Sequence, residues 1–401
     1  MDFTNPNKYV KGCFRFKGFA FDGLHDMPEG IDVYLKRTRR TGNCPECKRV
    51  RCKIELLYTR KIRDLDLRRK CTLVFPQAKI QCYCGYRGIE RLAFVDKYSL
   101  CTTRFEEYVF LLCEKMTIKD AAALVKLDWK TVKDIDKKFL KKRLVPLSES
   151  SPKNLGVDEI ATSKGHNYTT VVRDVDAKRV LWVGDGRKKD TLDKFFLELG
   201  KPKSYAIKTF TMDMWDPYIA SVEENCPNAD IIFDKFHISK KVNEGLDTIR
   251  KKEFSKADEE ERKGMKHKRF LILSRQRRLN DEQRETVEDL KAINAPLYEA
   301  YLLKEQVLDI FEETNVHAAL TRLGKWIANV ERLGIEPFLR VISTMRNYWY
   351  GIANYFRYRF TNAASEGFNN KINVIKRRAY GFRDMEYFKL KILHTCGWRS
   401  S

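Results

Sequence analysis

Leu155-Gly-Val-Asp158-Glu-Ile-Ala161 is an apolar run with a carboxylate at its centre, and Phe210-Thr-Met-Asp213-Met-Trp215 repeats the device further along the chain. A charge inside an apolar strand is costly unless it ligates or pairs with something. These two stretches therefore decide how their surroundings are read. Strand-like runs at 155–161, 168–175 and 179–184, separated by turn signals, form a three-stranded meander. A helical period follows at 191–199, a fourth strand at 205–212, a helix opened by Pro217 at 217–224, and a fifth apolar strand at 229–233.

The order βββαβαβ, followed by helix, is the layout of a ribonuclease H-like α/β core, a mixed sheet with helices on its faces. Its first part spans 152–240. From 241 to 358 nearly every segment is helical in period and rich in Lys, Glu and Arg, which reads as an all-α insertion domain; 359–401 then completes the core with helices at about 365–378 and 383–396. If the two strands are neighbours, Asp158 and Asp213 can share a metal ion, while Glu159 points to the opposite face by strand alternation. Two-metal phosphodiester chemistry needs such hard oxygen ligands.

Working toward the N-terminus, 99–147 carries three helical segments. Phe105, Val109, Leu112 and Cys113 mark the first, Ile118 to Val125 the second, and Trp129 to Leu140 the third, after a tight Leu127-Asp128 connection. This is a helix-turn-helix pattern. Its third helix opens with Trp129, Lys130, Thr131 and Lys133, which would reach base edges, while Lys137, Lys138, Lys141 and Lys142 suit phosphates. Residues 1–98 hold seven of the eleven cysteines. Cys44-Pro-Glu-Cys47 is a metal-binding knuckle, and Cys82-Tyr-Cys84-Gly85 supplies a second pair, so this region reads as a zinc-ribbon-like unit. The single residue between Cys82 and Cys84 departs from the usual spacing, leaving Cys52 or Cys71 as alternative ligands and buried free thiols as the alternative to zinc.

Lys and Arg outnumber Asp and Glu by 78 to 55, a net charge of +23. Spread over every segment, with aromatics interleaved, this excess points to a polyanionic partner, and to double-stranded DNA before a lipid surface. No apolar run is long enough to span a bilayer and no signal-peptide core is evident, so a cytoplasmic location is expected. An odd cysteine count without secretory context argues against a disulfide framework.

Three longer motifs carry a family resemblance: Thr211-Met-Asp213-Met-Trp-Asp-Pro-Tyr218; Pro227-Asn-Ala-Asp230-Ile-Ile-Phe-Asp234-Lys-Phe-His237; and Asn362-Ala-Ala-Ser-Glu366-Gly-Phe-Asn369-Asn370-Lys371-Ile, with Arg378-Ala-Tyr-Gly381-Phe. With the order of cysteine-rich N-terminus, helix-turn-helix, core and late glutamate, they resemble the ISL3 family of insertion-sequence DDE transposases over essentially the whole chain. The resemblance implies a catalytic triad of Asp158, Asp213 and Glu366, Mg²⁺ (or Mn²⁺) as the ion, and transposon terminal inverted repeats and target DNA as partners. His237 is either a participant near the scissile phosphate or a structural histidine, with Asp234 orienting it. Lys371, Lys376, Arg377 and Arg378 put positive charge on the Glu366 helix, suited to phosphates or simply solvated. Pairing two transposon ends requires at least a dimer. Trp326, Tyr348, Trp349, Tyr350, Tyr355 and Phe356 are expected to be mostly core, with stacking on an unpaired base as the alternative. A DNA-binding regulator derived from a transposase, without catalysis, is the rival reading.

Overall fold

The computed structural model describes residues 12–163, 167–360, 363–379 and 382–397, with only the backbone described at 163, 167 and 363–366. The chain divides into two compact units, Met1–Lys142 and Arg143–Ser401.

In the first unit, β1 (Phe19–Met27), β2 (Gly30–Arg37), β3 (Lys53–Leu67), β4 (Arg69–Gln81) and β5 (Arg87–Ile89) form a five-stranded sheet, ordered β1-β2-β4-β3 with β5 beside β4. The β3–β4 hairpin is long, with strands of 15 and 13 residues. It is sustained by a separate apolar core in which Ile62, Leu73 and Phe75 pack with Phe14, Phe16, Phe19 and Phe94. The sheet thus has apolar support beyond its cysteines.

Helices α1 (Thr103–Lys115), α2 (Ile118–Val125) and α3 (Trp129–Lys142) follow. Thr102 caps α1 by accepting the Phe105 N–H at 3.2 Å, and its hydroxyl donates to the buried Asp64 carboxylate at 2.7 Å. Arg104 also pairs with Asp64, which ties the start of α1 to β3. Lys126, at φ 54°, ends α2 in the left-handed region, and the Asp128 carboxylate then accepts the Lys130 N–H at 2.9 Å, restarting the chain as α3. Val132, Ile135, Phe139 and Leu140 form the buried stripe of α3, with Phe139 stacked on Phe110 at 5.5 Å.

The second unit runs β6 (Asn154–Ser163), β7 (Asn167–Asp174), β8 (Arg179–Asp185), α4 (Lys189–Leu199), α5 (Lys201–Ser204), β9 (Thr209–Met212), α6 (Asp216–Asn225), β10 (Asp230–Phe233) and α7 (Lys235–Lys256). The sheet order is β10-β9-β6-β7-β8. β6, β7 and β8 pair antiparallel, whereas β9 is parallel to both β6 and β10. β9 is shorter than expected. Gly200, at φ 88°, turns the chain out of α4 into the short α5, so 205–208 serve as connection.

Alternation along β6 separates two packing layers. Leu155 and Val157 join the large core containing Phe195, Phe210, Tyr218 and Phe233, while Ile160 on the other face packs with Phe368, Ile372, Phe388 and Ile392. These last four residues lie on α16 (Ala363–Arg378) and α17 (Met385–Cys396).

Between α7 and α16 run α8 (Glu259–Met265), α9 (Arg269–Leu273), α10 (Asp281–Glu288), α11 (Leu290–Ile293), α12 (Ala295–Ile310), α13 (Val316–Leu333), α14 (Glu336–Asn347) and α15 (Trp349–Tyr358). Leu297, Val307, Trp326, Phe338 and Phe356 from these helices belong to the same continuous core as Phe210 and Phe233. The contact is close: a Cβ on Gly351 would fall 2.3 Å from the Phe233 ring, so glycine lets α15 lie against β10. Among the described residues, no helix is long and apolar enough to cross a membrane.

Candidate active site and metal centre

The parallel pairing of β6 with β9 ends at Gly156 and Thr211, and Asp158 and Asp213 each lie two residues beyond that last pair. Both are half-buried. Asp158 accepts hydrogen bonds from its neighbour's Glu159 N–H at 2.8 Å and from Asn369 Nδ2 of α16 at 2.8 Å. Burial lifts the Asp158 carboxyl above its ordinary range and the Asp213 charge lifts it further, against the opposing pull of Asn369. Glu366, three positions before Asn369, lies in the first turn of α16, and its side chain is outside the described residues.

His237 sits in the first turn of α7, with Nε2 2.5 Å from Asp213 Oδ1. Burial by itself would lower the imidazole pKa. Asp213, with Asp234 and Asp158 behind it, outweighs burial and raises it. Asp234 does not hold His237 through its side chain, as the sequence reading had it. The carboxylate of this buried residue caps α7 by accepting the Phe236 N–H at 3.0 Å, and only its backbone carbonyl meets the His237 N–H, at 3.1 Å.

Three residues around the carboxylates lie outside the expected set. Arg173 of β7 is 3% exposed and lies directly across from Gly156, where an added Cβ would come within 2.6 Å of its Nε. Burial draws the pKa of its guanidinium below the usual arginine value, against the opposing charges of Asp158, Asp234 and Asp213. Its sequence signal is a charge directly after the apolar pair Val171-Val172. Asn369 belongs to the motif that carries Glu366, on α16. Glu159, set aside because it faces away from Asp158, does take the other face, where its Oε1 is 3.4 Å from Arg187 Nη1. Burial raises its pKa, and the charge of Asp213 adds to this. Asp213 therefore acts electrostatically on both faces of β6.

The four cysteines form a second centre in the first unit. The sulfurs of Cys44, Cys47, Cys82 and Cys84 all lie within 4.8 Å of one another, and no other group of three or more His, Cys, Asp or Glu ligand atoms gathers so closely among the described residues. Cys44 and Cys84 are 3.7 Å apart and Cys47 and Cys82 3.5 Å. A tetrahedral zinc with Zn–S bonds near 2.3 Å requires sulfurs about 3.8 Å apart, so the quartet is compatible with zinc. The one-residue spacing is accommodated by a tight turn: Gly85, at φ 89°, donates to Cys82 O at 3.1 Å, and Cys82 N–H reaches Tyr86 O at 2.9 Å. The Tyr86 backbone hydrogen bond, with help from the neighbouring thiols, lowers the Cys84 thiol to about 7, whereas Cys47 and Cys82 are shifted upward. Cys71 is buried in the sheet's apolar core, and Cys52 is buried beside the quartet with its thiol toward Arg49 O.

The expected DNA-contacting residues fall on two helices. Trp129 is 52% exposed at the start of α3, followed by exposed Lys130 and half-buried Thr131, Lys133 and Lys137. Lys138 departs from expectation: it stays exposed but is paired with the carboxylates of Glu106 and Asp96. On α16, Lys371, Arg377 and Arg378 are exposed, but Lys376 donates to Ala161 O at 2.8 Å and so pins the helix to β6. Trp326, Tyr355 and Phe356 are core, with Trp326 Nε1 donating to Leu303 O at 2.9 Å; Tyr350 is exposed at its edge.

Comparison with known proteins identifies the family. Residues 155–392, from β6 through most of α17, match a family described as transposase, and residues 90–140 match the helix-turn-helix domain of transposase family ISL3. The chain is 32% identical over 394 residues to the transposase for insertion sequence element IS1001 of Bordetella parapertussis, covering 96% of this chain and 97% of that one. It is 25% identical over 325 residues to the transposase for insertion sequence element IS1557 of Mycobacterium tuberculosis, covering 74% and 72%. The chain belongs to the ISL3 family of DDE transposases.

Proposed function

We propose that this protein is the transposase of an insertion sequence, which binds terminal inverted repeats and cleaves and joins DNA by direct phosphoryl transfer. The observation that carries this reading is the β6–β9 register, which aligns Asp158 with Asp213, together with the Asn369 hydrogen bond that joins α16 to Asp158. The second unit is then a ribonuclease H-like core whose strand order is β10-β9-β6-β7-β8, with α8 to α15 as its helical insertion.

Asp158, Asp213 and Glu366 would hold Mg²⁺ or Mn²⁺, and these oxygen donors suit a hard cation. When bound, the ions activate the attacking water or 3′-OH and stabilise the leaving oxygen. The protein's own work is placement. Asn369 fixes the Asp158 carboxylate, His237 fixes that of Asp213, and Arg173 offsets the acids from below. In the first unit, α3 reads the repeat through Trp129, Lys130, Thr131 and Lys133, while Lys137 follows the backbone. On α16, Lys371, Arg377 and Arg378 attract the phosphates near the reacting end. The cysteine quartet holds zinc and braces the N-terminal sheet. Synapsis of two ends makes the active species a dimer or larger.

The test is cleavage of a labelled duplex bearing the matched terminal repeat with Mg²⁺ or Mn²⁺, alongside a binding assay, for wild type and for Asp158→Asn, Asp213→Asn and Glu366→Gln. Wild-type cutting with three variants that bind but do not cut supports the triad. Variants that cut normally would remove it, and a wild type that binds without cutting would make the protein a DNA-binding regulator. Pre-cleaved ends that never join to a plasmid while hydrolysis continues would reduce it to a nuclease. For zinc, native mass spectrometry should find one ion per chain, lost in Cys44→Ser.

A further inference from the structure

Arg187 lies in the loop between β8 and α4, and its surroundings hold it more tightly than a loop arginine needs. Its guanidinium carbon lies 4.1 Å from the Tyr168 ring centre and 5.0 Å from that of Trp215. Trp215 Nε1 also donates to the Arg187 carbonyl at 3.0 Å, so backbone and side chain are both fixed. The supporting residues come from three elements around the carboxylates: Tyr168 on β7, Trp215 two residues after Asp213, and Glu159 beside Asp158. With Glu159 the arginine makes a single 3.4 Å contact, far from the paired short bonds that a committed arginine–carboxylate bridge forms. The side chain remains 36% exposed. Rings over its faces leave the in-plane N–H fork as the part that can bind, and that fork matches a phosphate.

DNA entering this centre brings phosphates against Asp158 and Asp213, the latter close enough to act on Glu159 beside Arg187, and repulsion must be offset by fixed cations at its edge as well as by bound ions. We propose that Arg187 is a phosphate clamp, binding a non-bridging oxygen of a DNA backbone phosphate beside the scissile bond, with Tyr168 and Trp215 holding the guanidinium in place. Glu159 keeps the arginine oriented when DNA is absent. This inference rests on Asp158 and Asp213 being the cleavage centre.

The test is single-turnover cleavage of the terminal-repeat duplex by wild type, Arg187→Ala and Arg187→Lys. Each phosphate flanking the cut is replaced in turn by an uncharged methylphosphonate. A charge-assisted contact predicts a loss of about 10- to 100-fold for Arg187→Ala on the all-phosphate duplex. One methylphosphonate position should slow wild type to a similar degree and leave Arg187→Ala no slower than before, with Arg187→Lys between the two. Equal slowing of both proteins at every position, or wild-type cleavage by Arg187→Ala, overturns the clamp. Melting curves identify a variant that merely fails to fold, in which case Arg187→Lys, which keeps the charge, decides by the same interference pattern. An Asp213→Asn protein that still cuts would overturn the cleavage centre instead, a separate and recognisable outcome.

Discussion

Two acidic positions in the second unit, one buried and one half-buried, have opposite electrostatic fates. Asp247 on α7 is surrounded by cations: Arg250 Nε at 2.9 Å, Arg269 Nε at 3.0 Å and Lys251 Nζ at 3.2 Å. Burial would raise its carboxyl pKa, but these three partners bring it down to about 2. At Asp158 burial wins, the Asp213 charge adds to it, and the carboxyl is raised. Asp247 is a carboxylate already compensated by the fold, whereas the Asp158–Asp213 centre concentrates negative charge that Arg173 offsets only in part. A fold retains such an imbalance where an incoming cation restores the balance.

The largest effect that could break this contrast is on cleavage. Asp158→Asn or Asp213→Asn should slow it by on the order of 10³-fold while leaving repeat binding intact, and Asp247→Asn should cut at close to the wild-type rate where it is folded. Comparable losses in all three would mean that both acids are merely structural. Next in size is the response to metal. Mg²⁺ or Mn²⁺ at about 100 times its dissociation constant should stabilise wild type by about 2.7 kcal/mol, a melting shift of several degrees that Asp213→Asn should lack and Asp247→Asn should keep.

Gly156→Ala forces a methyl group onto the Arg173 guanidinium and should destabilise the unit by about 1–3 kcal/mol in a denaturant titration. It should also impair cleavage, because the counter-charge beneath the acids is displaced. The smallest effect concerns Asp247 itself. Since its folded pKa is depressed, its stabilisation is complete above about pH 4 and disappears as pH falls through about 2. Asp247→Asn should therefore cost about 1–2 kcal/mol at pH 7, and its melting curve should converge on that of wild type between about pH 4 and pH 2. A gap that persists at pH 2 would assign the loss to packing.

How much was legible depends on sequence distance. The cysteine quartet could be read because each pair sits in its own turn, and Gly85 makes the short Cys82–Cys84 spacing workable. The helices of the first unit were legible from apolar spacing and from Asp128 as a local cap. Arg173 under Gly156, Arg187 beside Glu159, and His237 meeting Asp213 in place of Asp234 were not, since each depends on strand pairing or on a helix start far along the chain. Lys138 and Lys376 show the same limit: a lysine suited to phosphate on a helical wheel is drawn to a carboxylate or a carbonyl by packing.

The sequence by itself determined the kinds of element, their approximate order, the excess of positive charge and the acids that interrupt apolar strands, because helical and strand periods and turn chemistry act over a few residues. Only the tertiary structure decided which acids are neighbours, which cations compensate them and which stay exposed. Those outcomes depend on the parallel register of β6 with β9 and on α16 returning to β6, and such long-range pairings leave no mark in local spacing.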